Sequence, residues 1–198
     1  MKRLLAGTVL AGAVAGLGFL VQQSLGGRAA DAGPAAPVSA APSAPATFEL
    51  QVADAVMREH WDKEELEYFS LPELLAYSGQ GEPLLRQDGY DDENPQLLQA
   101  TLSALLAAPE PISGPPSLQA LARELVHADG RAFDAAQVEA FDLVLVEYWA
   151  EWCVPCKLQM KELEAFRDSH PERRIALLEV ERDPNSIEGV TLEPAPET

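Results

Sequence analysis

The sequence predicts an α/β fold: a β-α-β unit near the C-terminus, preceded by an α-helical region and, before that, an N-terminal membrane anchor. Three observations predict it. Residues 144–149 form an apolar run of β-branched and aromatic residues, the pattern of a buried strand, and residues 157–166 follow it with apolar positions at helical spacing. A second β-rich run at 175–180 completes a strand–helix–strand order, which folds as two parallel strands with a right-handed crossover. At the other end, Lys2 and Arg3 precede an uncharged apolar stretch over residues 4–21.

That first stretch is long for the core of a cleaved signal and just long enough to span a bilayer, so an uncleaved anchor within residues 1–27 is expected, with cleavage as the alternative. The two basic residues place the N-terminus in the cytoplasm and the remainder across the membrane. Gly12 and Gly16 form a G-x-x-x-G pair, a weak signal for a homodimer through such helices. Residues 28–47 are rich in Ala, Pro and Ser and read as a semi-extended linker, with a reach on the order of 60 Å at about 3.1 Å per residue.

Residues 48–116 read as helical. Val52, Ala53, Val56, Met57, His60 and Trp61 recur at three-to-four spacing; Ser70 and Glu73 have the form of a capping box before Leu74 and Leu75; Asn94-Pro95 opens a run through Leu97, Leu98, Leu102 and Leu105. Ser117 caps a helix carrying Leu118, Leu121, Leu125 and Val126, a reading that competes with a strand over residues 125–128. In the last part, residues 117–184, residues 125–128 read as a short first strand, with Asp134 and Gln137 capping a short helix over 135–140. The central strand is 143–149, the next helix runs from about 153 to 169, and the following strand covers 174–181. Pro194 and Pro196 mark residues 185–198 as a structureless tail.

Composition excludes several functions. The formal net charge is −18, which disfavours nucleic acid and anionic lipid headgroups as partners. Two cysteines cannot make a disulfide scaffold, so the core rests on apolar packing. His60, His127 and His170 lie far apart, and the acidic run Asp88, Asp91, Asp92 and Glu93 lacks the spacing of a calcium loop. No metal or other cofactor is expected.

The chemistry lies in Trp152-Cys153-Val154-Pro155-Cys156-Lys157, at the turn from strand to helix. Cys153 falls at the helix N-terminus, where unpaired N–H groups and the macrodipole favour a thiolate, the species that attacks a disulfide. Cys156, three residues on, lies on the same helix face, close enough to close a disulfide with Cys153 and better shielded. Pro155 is tolerated in the first turn because the N–H it lacks has no intrahelical acceptor there.

This segment resembles the active site of the thioredoxin family. Trp149, Ala150, Glu151, Trp152, Cys153, Pro155, Cys156 and Lys157 match its motif, while Val-Pro between the cysteines is more similar to membrane-tethered thioredoxin-like proteins of the bacterial periplasm. The resemblance implies that Cys153 attacks and Cys156 resolves, with Trp149, Trp152, Pro155 and Lys157 in support. It implies that Glu147, where the family keeps a buried Asp, relays the proton of the resolving thiol; burial raises a carboxyl pKa enough for that role near neutrality. It also implies protein thiols and disulfides as partners, and a soluble part in the periplasm tethered to the bacterial inner membrane. The resemblance covers about 125–184. The helix, cis-proline loop, hairpin and final helix that a thioredoxin carries next have no room in 185–198, so the thioredoxin-like unit is expected to be incomplete, with no residue in the cis-proline role. The lysine common in the family's third strand falls at Leu177.

Three readings follow: a thiol–disulfide oxidoreductase acting through the Cys153/Cys156 pair, a non-catalytic binding or scaffold protein that keeps the pair, and half of a zinc site completed by a second chain.

Overall fold

From residue 46, apolar and polar side chains alternate, with Phe48, Leu50 and Val52 set against Glu49 and Gln51. That period of two makes a strand with one face in the core. The computed structural model describes residues 46–187 and begins with this strand, β1 (Ala46–Val52). Then come α1 (Asp54–Asp62), a turn of 3-10 helix at Leu66–Phe69, β2 (Glu73–Ser78), β3 (Pro83–Asp88), α2 (Pro95–Ala107), α3 (Leu118–Leu121) and β4 (Leu125–His127). A 3-10 turn at Ala135–Val138 leads to β5 (Leu143–Trp149), α4 (Val154–Asp168) and β6 (Ile175–Glu181). The strands form one sheet in the order β3-β2-β5-β6-β1-β4. β5, β6 and β1 are parallel, β2 is antiparallel to β5 beside it, β3 is antiparallel to β2 at that edge, and β4 is antiparallel to β1 at the other edge.

Helices cover both faces. Leu98 and Leu102 of α2 and Leu163 and Phe166 of α4 pack on Leu74, Leu143, Leu145 and Ile175. Met57 of α1 and Leu118 and Leu121 of α3 pack with Val144, Val146 and Leu178 on the opposite face. Because residues 143–146 of β5 and 175–178 of β6 are buried at every position, they read as continuous apolar runs.

The β-α-β unit stands as expected, with Cys153 and Ser169 flanking α4 and β6 parallel to β5. The helical reading of residues 48–116 is overturned: it contains α1 and α2, but also most of β1 and all of β2 and β3. β2 (Glu-Leu-Leu-Ala-Tyr-Ser) is buried at every position between β3 and β5, so it shows no alternation, and its apolar run mimics a helix. Ser70 caps no helix at Glu73 and instead ends the 3-10 turn before β2. Asn94 precedes α2 without a side-chain cap, whereas Ser117 accepts the Ala120 N–H as expected. The β2–β3 connection passes Gly79, where a Cβ would stand 2.3 Å from the Phe141 carbonyl oxygen, and Gly81 at φ +81°. Ala46 and Thr47, read as linker, belong to β1, and Ile187, read as tail, is buried in the core.

The elements thought to lack room are present, and they precede the cysteines. Helix α1, a cis Leu71–Pro72 bond, the β2–β3 hairpin and helix α2 follow one another in the expected order. The anchor, the G-x-x-x-G pair, most of the linker and the tail beyond Ile187 lie outside the described residues. Among the described residues, no helix is long and apolar enough to cross a membrane.

Candidate functional site

Strand β5 ends at Trp149, and the chain turns through Ala150, whose carbonyl accepts the Cys153 N–H at 3.0 Å. This places Cys153 as the N-cap of α4, in extended conformation, with its Sγ accepting the Cys156 N–H at 3.2 Å. The two cysteines are joined by a disulfide, their Cα atoms 5.4 Å apart. Cys153 is 3 % exposed and Cys156 wholly buried, 4.0 Å from the Tyr148 carbonyl oxygen. On opening of the bond, the free N–H groups of the first helical turn lie where they stabilise a thiolate on Cys153. Pro155 sits in that first turn, and Pro155 and Lys157 are both at the surface.

Exposed apolar side chains flank the pair: Trp152 is 52 % and Val154 65 % exposed. Trp152 Nε1 donates to Asp183 Oδ1 at 3.1 Å, which fixes the indole beside the cysteines. Trp149 and Leu71 pack against the small cluster of Ala150, Cys153 and Cys156. The cis Leu71–Pro72 bond therefore lies beside the cysteines, and the expectation that no residue takes that place is corrected.

Arg182, which follows β6, holds that wall. Its N–H donates to the Trp149 carbonyl at 2.8 Å, its Nη2 donates to the Ser70 carbonyl at 2.9 Å and lies 2.8 Å from Glu73 Oε2. The guanidinium is sandwiched between the rings of Tyr148 and Tyr68, 4.1 and 4.7 Å from their centroids.

Glu147 is 1 % exposed, and neither of its carboxylate oxygens has a hydrogen-bond partner among the described residues. Burial, with a further push from Glu179, raises its pKa to about 9, so the carboxyl is protonated at neutral pH. Its neighbours across the ladders are Leu74 in β2 and Glu179 in β6. Leu177, the position assigned to the family's lysine, lies beside Leu145 instead, so a second carboxyl stands next to Glu147. Gln159, one turn along α4 from Cys156, is also wholly buried with both amide atoms unpartnered. Among the described residues, no three His, Cys, Asp or Glu side chains gather into a group that could hold a metal.

The structure thus brings together Cys153, Cys156 and Trp149, with Trp152 in the turn before Cys153, while Glu147 lies further back on β5, in a space it shares with Met160 and Leu163 of α4. Sequence reasoning missed Leu71, Gln159, Glu179, Arg182 and Asp183. A lone Gln in the sheet-facing stripe of α4 and two Glu among the apolar residues of β6 were the available signals for Gln159 and Glu179. Leu71 and Arg182 gave none, because their roles arise from contacts across more than 80 and 100 residues of chain respectively.

The thioredoxin family model matches residues 124–193. A thioredoxin of Thiocapsa roseopersicina is 32 % identical over 63 residues, 31 % of this chain and 69 % of the relative. One of Acidithiobacillus ferridurans is 32 % identical over 63 residues, covering 31 % of this chain and 58 % of the relative. One of Alicyclobacillus acidocaldarius is 39 % identical over 44 residues, covering 22 % and 42 %. No solved structure matches the chain. The shared length, the motif and the strand–disulfide–helix geometry agree: the chain belongs to the thioredoxin family.

Proposed function

We propose that the protein is a thiol–disulfide oxidoreductase acting on protein thiols and disulfides through Cys153 and Cys156. The observation that carries this reading is the disulfide at the N-terminus of α4, with Cys153 at the cap and Cys156 buried behind it. In the reduced protein, Cys153 is the attacking thiolate. Its pKa lies below the free value of about 8.5, because the helix terminus stabilises the charge. Cys156 resolves the mixed disulfide, and Glu147 holds the proton that the Cys156 sulfur takes up or gives away. The exposed apolar surface of Trp152 and Val154 receives the partner chain.

The site faces the periplasm, and the apolar segment 4–21 behind Lys2 and Arg3 tethers it to the bacterial inner membrane. Thiol labelling of intact cells with a membrane-impermeant reagent tests this side; protection until lysis would reverse it.

The functional test is a redox titration of the pair together with exchange against a small disulfide. Cys153→Ser abolishes exchange, and Cys156→Ser accumulates mixed disulfides through Cys153. If the wild-type protein exchanges no faster than free cysteine, the pair is retained for binding or scaffolding. If Cys156 alkylates first, the two roles are inverted.

A further inference from the structure

A carboxyl buried as deeply as Glu147 needs a route by which its proton reaches solvent, and the fold supplies a second carboxyl beside it. Resting on the oxidoreductase reading, we propose that Glu147 and Glu179 form one carboxyl pair that holds a single proton for Cys156 and exchanges it with solvent through Glu179.

The geometry carries this in three steps. Glu147 and Glu179 are directly paired across the parallel β5–β6 ladder. Both line a cavity of about 10 Å³ closed by Met160 and Leu163 of α4, just enough for one water. Glu179 and Met160 also line a second, open pocket of about 360 Å³, together with Glu49, Glu181 and Trp149. Glu179 therefore stands between the buried carboxyl and the open side of the sheet. Gln159, in the stripe of α4 that contains Cys156 and Leu163, adds a buried amide with no partner to the same helix–sheet interface.

The charges around the pair favour a shared proton. Glu147 faces Glu179. Glu179 faces Glu147 and also Glu49 of β1, with Glu164 and Arg167 of α4 nearby. Burial raises the Glu179 carboxyl; Glu164 and Glu49 push the same way, and Arg167 opposes them. Two adjacent carboxylates at a largely buried helix–sheet interface do not both ionise readily, and their titration belongs to the pair.

The redox step balances as follows. A thiolate of an external dithiol bonds to Cys153 Sγ, the Cys153–Cys156 bond breaks, and its electron pair goes to Cys156 Sγ. The proton of Glu147 follows to that sulfur. Glu147, now a carboxylate, regains a proton from solvent through Glu179. The second thiol of the reductant then displaces Cys153, leaving a reduced pair and an oxidised dithiol. Run backwards, the same path removes the Cys156 proton.

The test is an infrared titration of the full-length disulfide form, following the carbonyl stretch of the protonated carboxyl, with the pH profile of its reduction by dithiothreitol. Glu147→Gln assigns the band by removing it. In Glu179→Gln the Glu147 midpoint falls below that of the wild type, and the alkaline limb of the reduction profile moves down with it. Glu179→Asp, which keeps the charge, restores both, as a merely structural role would not. Glu172→Gln, an exposed carboxyl after α4, leaves both unchanged. If Glu179→Gln titrates at the wild-type midpoint, or Glu179→Asp behaves like Glu179→Gln, the pair does not exist. The infrared midpoint needs no exchange partner, so an unreactive disulfide would count against the oxidoreductase reading and not against the carboxyl pair.

Discussion

Residues 46–116 and 117–187 contribute to the same sheet in different ways. The second region carries the cysteines, and the family match begins within it, at residue 124. The first region lies outside that match, yet its strands flank β5 and β6 on both sides, β2 against β5 and β1 against β6. It also supplies Leu71 beside the disulfide, and Ser70 and Glu73 as the partners of Arg182. The family resemblance is thus local to one region, while the sheet and the site are built by both. A helix, a cis Leu71–Pro72 bond, a hairpin and a second helix stand in the first region, ahead of the cysteine-bearing unit.

The bluntest way to break this comparison is to remove residues 46–116. β5 and β6 would each lose the neighbour on their outer side, leaving unpaired edges and two apolar faces. The remaining chain is expected to lose cooperative unfolding altogether in a urea or thermal melt. A cooperative transition in that fragment would make the second region an independent domain and the first an accessory.

A single residue tests the same junction more finely. Arg182 belongs to the second region, and its side chain is anchored on Glu73, Ser70 and Tyr68 of the first. Removing one partner of a buried ion pair typically costs about 3–5 kcal/mol. Glu73 keeps Arg86 at 3.1 Å, which reduces the cost, while the lost stacking between two rings adds to it. Arg182→Ala is expected to destabilise the fold by roughly 4 kcal/mol in denaturant titration. A loss near that of an exposed ion pair, under about 1 kcal/mol, would mean the wall beside the cysteines holds without it.

What was legible in the sequence follows the same division. In the second region the motif fixed the turn, so β5, α4 and β6 could be placed around it. In the first region no motif anchored the reading. The continuous apolar run of β2 looked helical because burial on both faces erases alternation. The alternation of Phe48, Leu50 and Val52 was present and was absorbed into the helical pattern that starts at Val52. At the site, the pairing of Cys153 with Cys156 and the burial of Glu147 were legible from local spacing and family likeness. Leu71, Glu179 and Arg182 were not, since each acquires its place through strand register or long-range packing.

Glu147 sharpens the comparison from inside the second region. Its folded pKa of about 9 stands above the ordinary 4.5. Between those values the folded protein keeps a proton that the unfolded chain has released, so stability is full below about 4.5 and declines as pH rises toward 9. At about 1.36 kcal/mol per pH unit, the loss by pH 7 is about 3 kcal/mol. Glu147→Gln should flatten the stability profile between pH 5 and 9 and raise stability at pH 7. Parallel profiles for the two proteins would show that Glu147 ionises normally in the fold, and would remove it as a proton holder.

The smallest effect is expected where the two regions touch through helices alone. Gln99 of α2 donates through Nε2 to the Glu162 carbonyl at 2.8 Å and to Glu162 Oε2 at 3.1 Å on α4. The contact is half-buried, so water can replace much of what is lost, and a hydrogen bond of this kind contributes about 1 kcal/mol net. Gln99→Ala should therefore lower the midpoint of unfolding by an amount equivalent to about 1 kcal/mol, with the redox titration of Cys153 and Cys156 unchanged. The apolar packing of Leu98 and Leu102 stays in place, which is why the loss remains small. A shift of several kcal/mol would mean that α2 is held mainly through Gln99, and a change in the redox midpoint would mean that the α2–α4 contact reaches the disulfide at the far end of α4.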